Sequence, residues 1–274
     1  MIKILLVTFL LGVNLNLFAN DDLTISQLIN LTARQRALTQ RIIKCWLLKN
    51  ENILYETSSK ELKVSINTFD QTLLLLIGNA PTLMCKSQFK QIENQWNSFK
   101  KTIEDTANKN YITTISFSNN LLLGLDDITI ELLNYNKALN IKNEVSYNYN
   151  AVINCTEICA KQRLLTQRLV IYYVLHYKNK GGNLPVNSAA IGILEELNDN
   201  FTRLINTEIN TPDIADELSI ITLEFTKTYE QLKANNYNAI EFKKISVELL
   251  TENMVKLYNK FDKVVLMYFN ILKN

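Results

Sequence analysis

The sequence predicts an all-α protein: two tandem four-helix bundles, stacked end to end and joined by a long shared helix. Three observations predict it. The 274 residues include only 6 Gly and 3 Pro, far below ordinary usage, so long helices with few turns are expected. Few stretches alternate apolar and polar residues at period two, so strand signals are weak. A decapeptide also occurs twice. Residues 33–42 read Ala-Arg-Gln-Arg-Ala-Leu-Thr-Gln-Arg-Ile, and residues 160–169 read Ala-Lys-Gln-Arg-Leu-Leu-Thr-Gln-Arg-Leu. A helix-forming segment used twice indicates one unit built twice.

The elements follow in order. Lys3 is the only charge before Asp21, and an apolar run from Ile4 leads to a small residue, Ala19. This describes a secretory signal over residues 1–19, too short for a comfortable membrane span. An uncleaved anchor is the alternative, because Leu17 is not the small residue preferred before a cut. A first helix is expected from about 24 to 56, capped by Thr24 or Ser26. A second runs from about 60 to 77, where Gly78-Asn79-Ala80-Pro81 stops it. A third covers about 83–107. From Tyr111 to about Lys178 there is no proline, and the apolar period persists into the second decapeptide, so one long helix, or two nearly collinear ones, is expected. Gly181-Gly182-Asn183-Leu184-Pro185 ends it. Helices at about 189–205, 213–234 and 239–272 complete the set. The first bundle is then residues 20–140 and the second 141–274.

The 47% hydrophobic content supplies real cores. The net charge is +2, or +1 once Lys3 is removed, which gives no polyanion-binding surface and argues against nucleic acid. Beyond the first residues no segment approaches the length of apolar chain that spans a membrane. The mature chain is therefore expected to be periplasmic or secreted, where disulfides are permitted. Of Cys45, Cys85, Cys155 and Cys159, the pair Cys45–Cys85 is the candidate disulfide, because a short second helix would bring the third level with the middle of the first.

The motif helix has two apolar faces. One seam is Leu28, Leu31, Gln35, Leu38, Ile42 and Cys45, matched by Cys155, Ile158, Gln162, Leu165, Leu169 and Tyr172. This face packs into its own bundle. The other is Ile29, Ala33, Arg36, Gln40, Ile43 and Leu47, matched by Thr156, Ala160, Arg163, Gln167, Val170 and Val174. A solvated face needs no such apolar residues, so a second partner is expected, most simply another motif helix related by two-fold symmetry. An arginine within an apolar contact must find an acceptor, and two arginines brought together repel unless an anion lies between them. The planar guanidinium suits nitrate, nitrite or a carboxylate. The candidate ligand-binding residues are Arg36 with Gln40 and Thr39, and Arg163 with Gln167 and Thr166. The plainer reading is a solvated or glutamate-paired arginine, which is the expectation for Arg34 and Arg41.

The string from Asn30 to Arg41, Asn-Leu-Thr-Ala-Arg-Gln-Arg-Ala-Leu-Thr-Gln-Arg, resembles the signature of the PilJ-type domain. That domain is the N-terminal sensory module of type IV pili methyl-accepting chemotaxis transducers, and it is related to the sensor domain of nitrate/nitrite sensor kinases of the NarX type. The family form is Asn-x-Ala-Gly-Arg-Gln-Arg-Met-Leu-Ser-Gln-Arg. Here Ala33 and Ala160 replace the Gly, and in the second copy Glu157 replaces the Asn and Lys161 the first Arg. The resemblance implies periplasmic helical sensor bundles over about residues 24–272. It also implies an anion held by the central motif arginine of each subunit at a dimer contact: Arg36, and Arg163 in the second copy. Relatives often carry membrane helices and a signalling module, and neither is seen in this chain.

Other chemistry is poorly supported. His176 is the only histidine, so no nucleophile–base pairing can be built on it. Cys155, Cys159 and His176 lie too far apart along one helix to ligate a metal together. No Gly-rich phosphate loop occurs. The expectation is a sensory or ligand-binding protein rather than an enzyme, with no cofactor or metal. Its partners would be a small anion and either a second copy of the chain or a receptor with a PilJ-type domain. The alternative is a structural or adaptor protein that docks a partner's PilJ-type helix without a small ligand.

Overall fold

The computed structural model describes residues 23–105, 107–143, 147–178, 184–234 and 244–271. The signal expected at residues 1–19 lies outside them. The described residues fold into helices alone: α1 Ile25–Asn50, α2 Tyr55–Gly78, α3 Leu83–Glu104, α4 Tyr111–Asn143, α5 Tyr147–Lys178, α6 Leu184–Ile205, α7 Pro212–Ala234 and α8 Lys244–Ile271.

Local chemistry sets the boundaries. Thr24 caps α1: its hydroxyl accepts from the Gln27 amide, and the Gln27 side chain accepts from the Thr24 amide, a capping box. Thr82 caps α3 by accepting from the Cys85 amide. The α1–α2 turn uses left-handed backbone at Asn52 (φ 55°) and Leu54 (φ 46°). Asn tolerates that region, whereas Leu adopts it at a cost. The tight turn starts α2 at Tyr55, about five residues before the apolar pattern alone indicates.

Helices α1–α4 pack as one bundle and α5–α8 as another, and α1 also packs along α5. This corrects the end-to-end stack. Helix α4 runs antiparallel to α1: the Tyr111 ring lies 5.2 Å from Trp46 near the end of α1, and further along α4 Asp126 meets Arg36. Helix α5 runs parallel to α1. Glu157 on α5 meets Arg36, and near the other end Lys178 sits over the Tyr111 ring. Helices α4 and α5 are therefore not one rod but run in opposite directions, and Tyr149 donates to Asn136 at 3.0 Å near one end. The physical reason is visible in composition. Asn140, Lys142, Asn143, Glu144, Ser146, Asn148 and Asn150 interrupt the apolar stripe that a continuous helix would bury, and Asn is a weak helix former. The bundles thus lie side by side, sharing the α1–α5 contact.

Each bundle has an aromatic centre. Phe69 stacks on Trp96 at 4.0 Å, and Phe201 lies 4.8 Å from Phe225 and 5.3 Å from Phe261. Gly124 lets α4 approach α3 closely: a Cβ there would meet Ile92 Cδ1 at 2.6 Å.

All four cysteines are free thiols and buried, which corrects the Cys45–Cys85 pairing. Helix α2 runs 24 residues, nearly the 26 of α1, and Asn79 at its end accepts from the Leu23 amide. The start of α3 is therefore level with the start of α1. Cys85 lies at that end, while Cys45 lies most of a helix length away, far beyond disulfide reach. Burial pushes the Cys45 thiol up to about 12.

Two outcomes are expected. Thiol titration at pH 8 leaves Cys45 and Cys159 unreacted in the native protein, since burial raises both, while four thiols react after denaturation. Phe69→Ala lowers the unfolding free energy by about 3–5 kcal/mol in denaturant titration, because a fully buried ring is lost from a packed core.

Candidate functional site

The inner seam of each motif helix packs into its own bundle. Its conserved polar position has one task in both copies. Gln35 donates to the Phe69 carbonyl of α2, and Gln162 to the Leu197 carbonyl of α6, each at 2.9 Å. A side-chain amide that pairs with backbone inside a core avoids the cost of a buried orphan.

The outer seam is buried too: Ile29, Ala33, Arg36, Gln40, Ile43 and Leu47 on α1, and Thr156, Ala160, Arg163, Gln167, Val170 and Val174 on α5. The second packing partner is thus the other motif helix, supplied by the same chain. Covering this seam needs no second chain.

Both central arginines find carboxylates. Arg36 Nη1 donates to Asp126 Oδ1 on α4 at 2.9 Å, and Nη2 to Glu157 Oε1 on α5 at 2.5 Å. Arg163 Nη1 donates to Asp262 on α8. Asp126 and Asp262 are equivalent: the apolar frame Leu121, Leu125, Ile128, Leu132 of α4 recurs as Leu257, Phe261, Val264, Tyr268 of α8, and each Asp follows its second member. The sequence reading missed both. The signal was this repeated frame with one carboxylate in it, which becomes visible once α4 and α8 are aligned.

The two centres differ in charge. Two carboxylates face one guanidinium at Arg36. At Arg163 one carboxylate serves two guanidiniums, because Arg34 Nη2 also lies 3.8 Å from Asp262 Oδ2. Arg163 is 1% exposed, and its Nε and Nη2 have no hydrogen-bond partner among the described residues. Burial alone would lower the pKa of either arginine. Glu157 and Asp126 outweigh it at Arg36, and Asp262 with Tyr258 at Arg163, so both are raised. Both stay charged.

The accompanying residues turn elsewhere. The Thr39 hydroxyl donates to the Gln35 carbonyl and the Thr166 hydroxyl to the Arg163 carbonyl, each along its own helix. Gln40 donates to Ser118 on α4 at 3.3 Å, and Gln167 to Thr166 at 3.3 Å. The structure therefore gathers the arginines at the α1–α5 contact and leaves the threonines as helix-internal groups.

A third charged cluster, also missed, lies further along α1. Glu61 of α2 accepts from Arg41 at 2.9 Å, Lys44 at 3.2 Å and the Cys45 thiol at 3.1 Å. Arg41 also sits 5.5 Å over the Tyr258 ring of α8, a cation–π contact. The expectation of a glutamate partner for Arg41 holds, but the side chain is buried rather than solvated. The second copy has Ile171 and Tyr172 where Lys44 and Cys45 stand. Burial pushes the Glu61 carboxyl up, yet Lys44 and Arg41 more than offset this and hold it well below the usual carboxylate range. Among the described residues, no group of three His, Cys, Asp or Glu side chains gathers to hold a metal. No described helix is long and apolar enough to cross a membrane.

Glu61→Gln should cost about 3–5 kcal/mol at neutral pH, because two buried cations lose their counter-ion. A depressed carboxyl pKa stabilises the fold above its unfolded value, about 4.3, and that stability is lost as the pH falls below it. Denaturant midpoints measured between neutrality and acid should therefore fall less steeply in Glu61→Gln than in the wild type.

Residues 22–116, which take in α1 to the start of α4, match the PilJ family, described as the type IV pili methyl-accepting chemotaxis transducer N-term. The match includes the first decapeptide, and the second lies beyond it. No curated protein and no solved structure matches the chain. The likeness to a PilJ-type domain is therefore to about the first third of the chain, residues 22–116.

Proposed function

We propose that this is an exported sensory protein that binds a small planar oxyanion, of the nitrate or nitrite kind, at the α1–α5 contact, with Arg163 as the recognising residue. One observation carries the reading. Among the described residues, Arg163 is buried with Nε and Nη2 unpartnered, and the carboxylate beside it, Asp262, is shared with Arg34. Nε and Nη2 form the side edge of the guanidinium, which offers two parallel donors to two oxygens of a planar anion. An anion there would offset the surplus positive charge that burial makes costly. Asp262, which holds Nη1, is 26% exposed. A ligand on this contact would bear on both bundles at once, and so has a way to alter how they pack. In this reading residues 141–274 are a second, diverged PilJ-type unit, and a receptor with a PilJ-type domain is the partner that carries the signal onward.

A second reading has its own support. Arg36 already has two carboxylates and needs no ligand, as a purely structural motif would require. The protein would then be an adaptor that docks a partner's helices.

Isothermal calorimetry with nitrate and nitrite separates the two. The sensory reading expects one site per chain, lost in Arg163→Ala. Binding that persists unchanged in that variant removes Arg163 from the site, and no heat with either anion favours the adaptor.

A further inference from the structure

The two arginine centres are copies of one arrangement, but different residues complete them. The repeat places Asn30 on α1 and Glu157 on α5 at equivalent positions, six before Arg36 and Arg163 respectively. Glu157 crosses to Arg36. Asn30, which is neutral, leaves its Oδ1 buried without a partner among the described residues, as are Nε and Nη2 of Arg163.

We propose that Glu157 is a tethered anion: its carboxylate occupies, from within the chain, the place at Arg36 that a free small carboxylate or oxyanion would take. The first centre is thereby permanently filled and the second is left for a ligand. This rests on the reading that the duplicated arginines are anion sites, and it fixes the stoichiometry at one ligand per chain. The chemistry agrees at each step. Glu157 Oε1 bonds Nη2 of Arg36, while Nη1 is held by Asp126 of the same bundle. This leaves the first centre with one negative charge in excess. The second, with Arg34 and Arg163 around Asp262, has one positive charge in excess. A further anion is repelled by the first and drawn to the second. Glu157 also joins α5 to α1 across the two halves, so the first centre fastens the contact in a way that no change in ligand concentration can release.

Chemical rescue tests this. Glu157→Ala removes the carboxylate and leaves room beside Arg36. Its melting temperature should fall by about 4–8 °C, as expected for loss of a partly buried charged pair in a chain of this size. Sodium formate or acetate should restore most of that fall along a saturating curve, as a ligand of the native state does. Sodium chloride at equal ionic strength should not, and the rescue should vanish in the Arg36→Ala/Glu157→Ala double variant. Glu157→Gln, which keeps the volume without the charge, should melt lower but show no rescue. A Glu157→Ala protein whose loss is indifferent to formate and acetate, or equally restored by chloride, overturns the proposal and leaves an ordinary ion pair. If Glu157→Ala does not fold, Asn30→Glu carries the test instead: if the repeat equivalence extends to the contact, a carboxylate at position 30 should raise the melting temperature through Arg163, and a lower one overturns the proposal. Nitrate titration of the wild type is read separately. Rescue in Glu157→Ala without wild-type nitrate binding sustains the tethered anion and sinks the oxyanion reading. Wild-type binding without rescue does the reverse.

Discussion

Two parallel helices, α1 and α5, meet along faces that are apolar at both ends and carry an arginine in the middle. An arginine cannot be buried there without a counter-charge, since the desolvation of an isolated guanidinium is far larger than any packing gain. The rest of the arrangement answers to that constraint. It requires an acid on the last helix of each bundle at one height, Asp126 on α4 and Asp262 on α8. Those acids hold α4 and α8 in register with the motif helices. The inner-seam glutamines fasten the opposite side of each motif helix to α2 and α6. A motif helix is thus fixed on one side by an amide-to-backbone bond and on the other by an ion pair, with oily seams between.

Much of this was legible in the chain. The low Gly and Pro content, the decapeptide and the breaks at Pro81 and Pro212 are sufficient for two sets of helical segments, because helix periodicity and punctuation are local properties. The two seams were legible for the same reason, and the burial of Arg36 and Arg163 follows from counting apolar neighbours three and four positions away. What covers the outer seam was legible only as a kind of partner, another motif helix. That the partner sits in the same chain depends on whether residues 111–178 form one rod or a hairpin, and the apolar stripe reads almost continuously through either.

The misjudged features share a cause. Helix lengths decide which residues come level: α1 ends at Asn50 rather than near 56 and α2 starts at Tyr55 rather than near 60, and at about 1.5 Å per residue the two errors together moved α3 by on the order of 15 Å along α1, toward Cys45 on paper. The carboxylate partners were illegible for a related reason. Asp126, Glu61 and Asp262 are ordinary surface-type residues in sequence, and only tertiary placement sets them against Arg36, Arg41 and Lys44, and Arg163. Thr39 and Thr166 were judged by proximity to the arginines, but a threonine hydroxyl within a helix bonds readily to the carbonyl three or four residues before it, and both do so.

Pairing α1 with α5 inside one polypeptide has a consequence for how such a contact can change. In a dimer of identical chains each substitution appears on both sides, so a glutamate introduced opposite one arginine is introduced opposite the other. Joining the halves by a tether removes that symmetry and keeps the partner at a high effective concentration however dilute the protein becomes. Each side is then free to diverge alone. The Glu157 and Asn30 pair, and the Lys44–Cys45 and Ile171–Tyr172 pair, are positions where the two repeats of this chain differ.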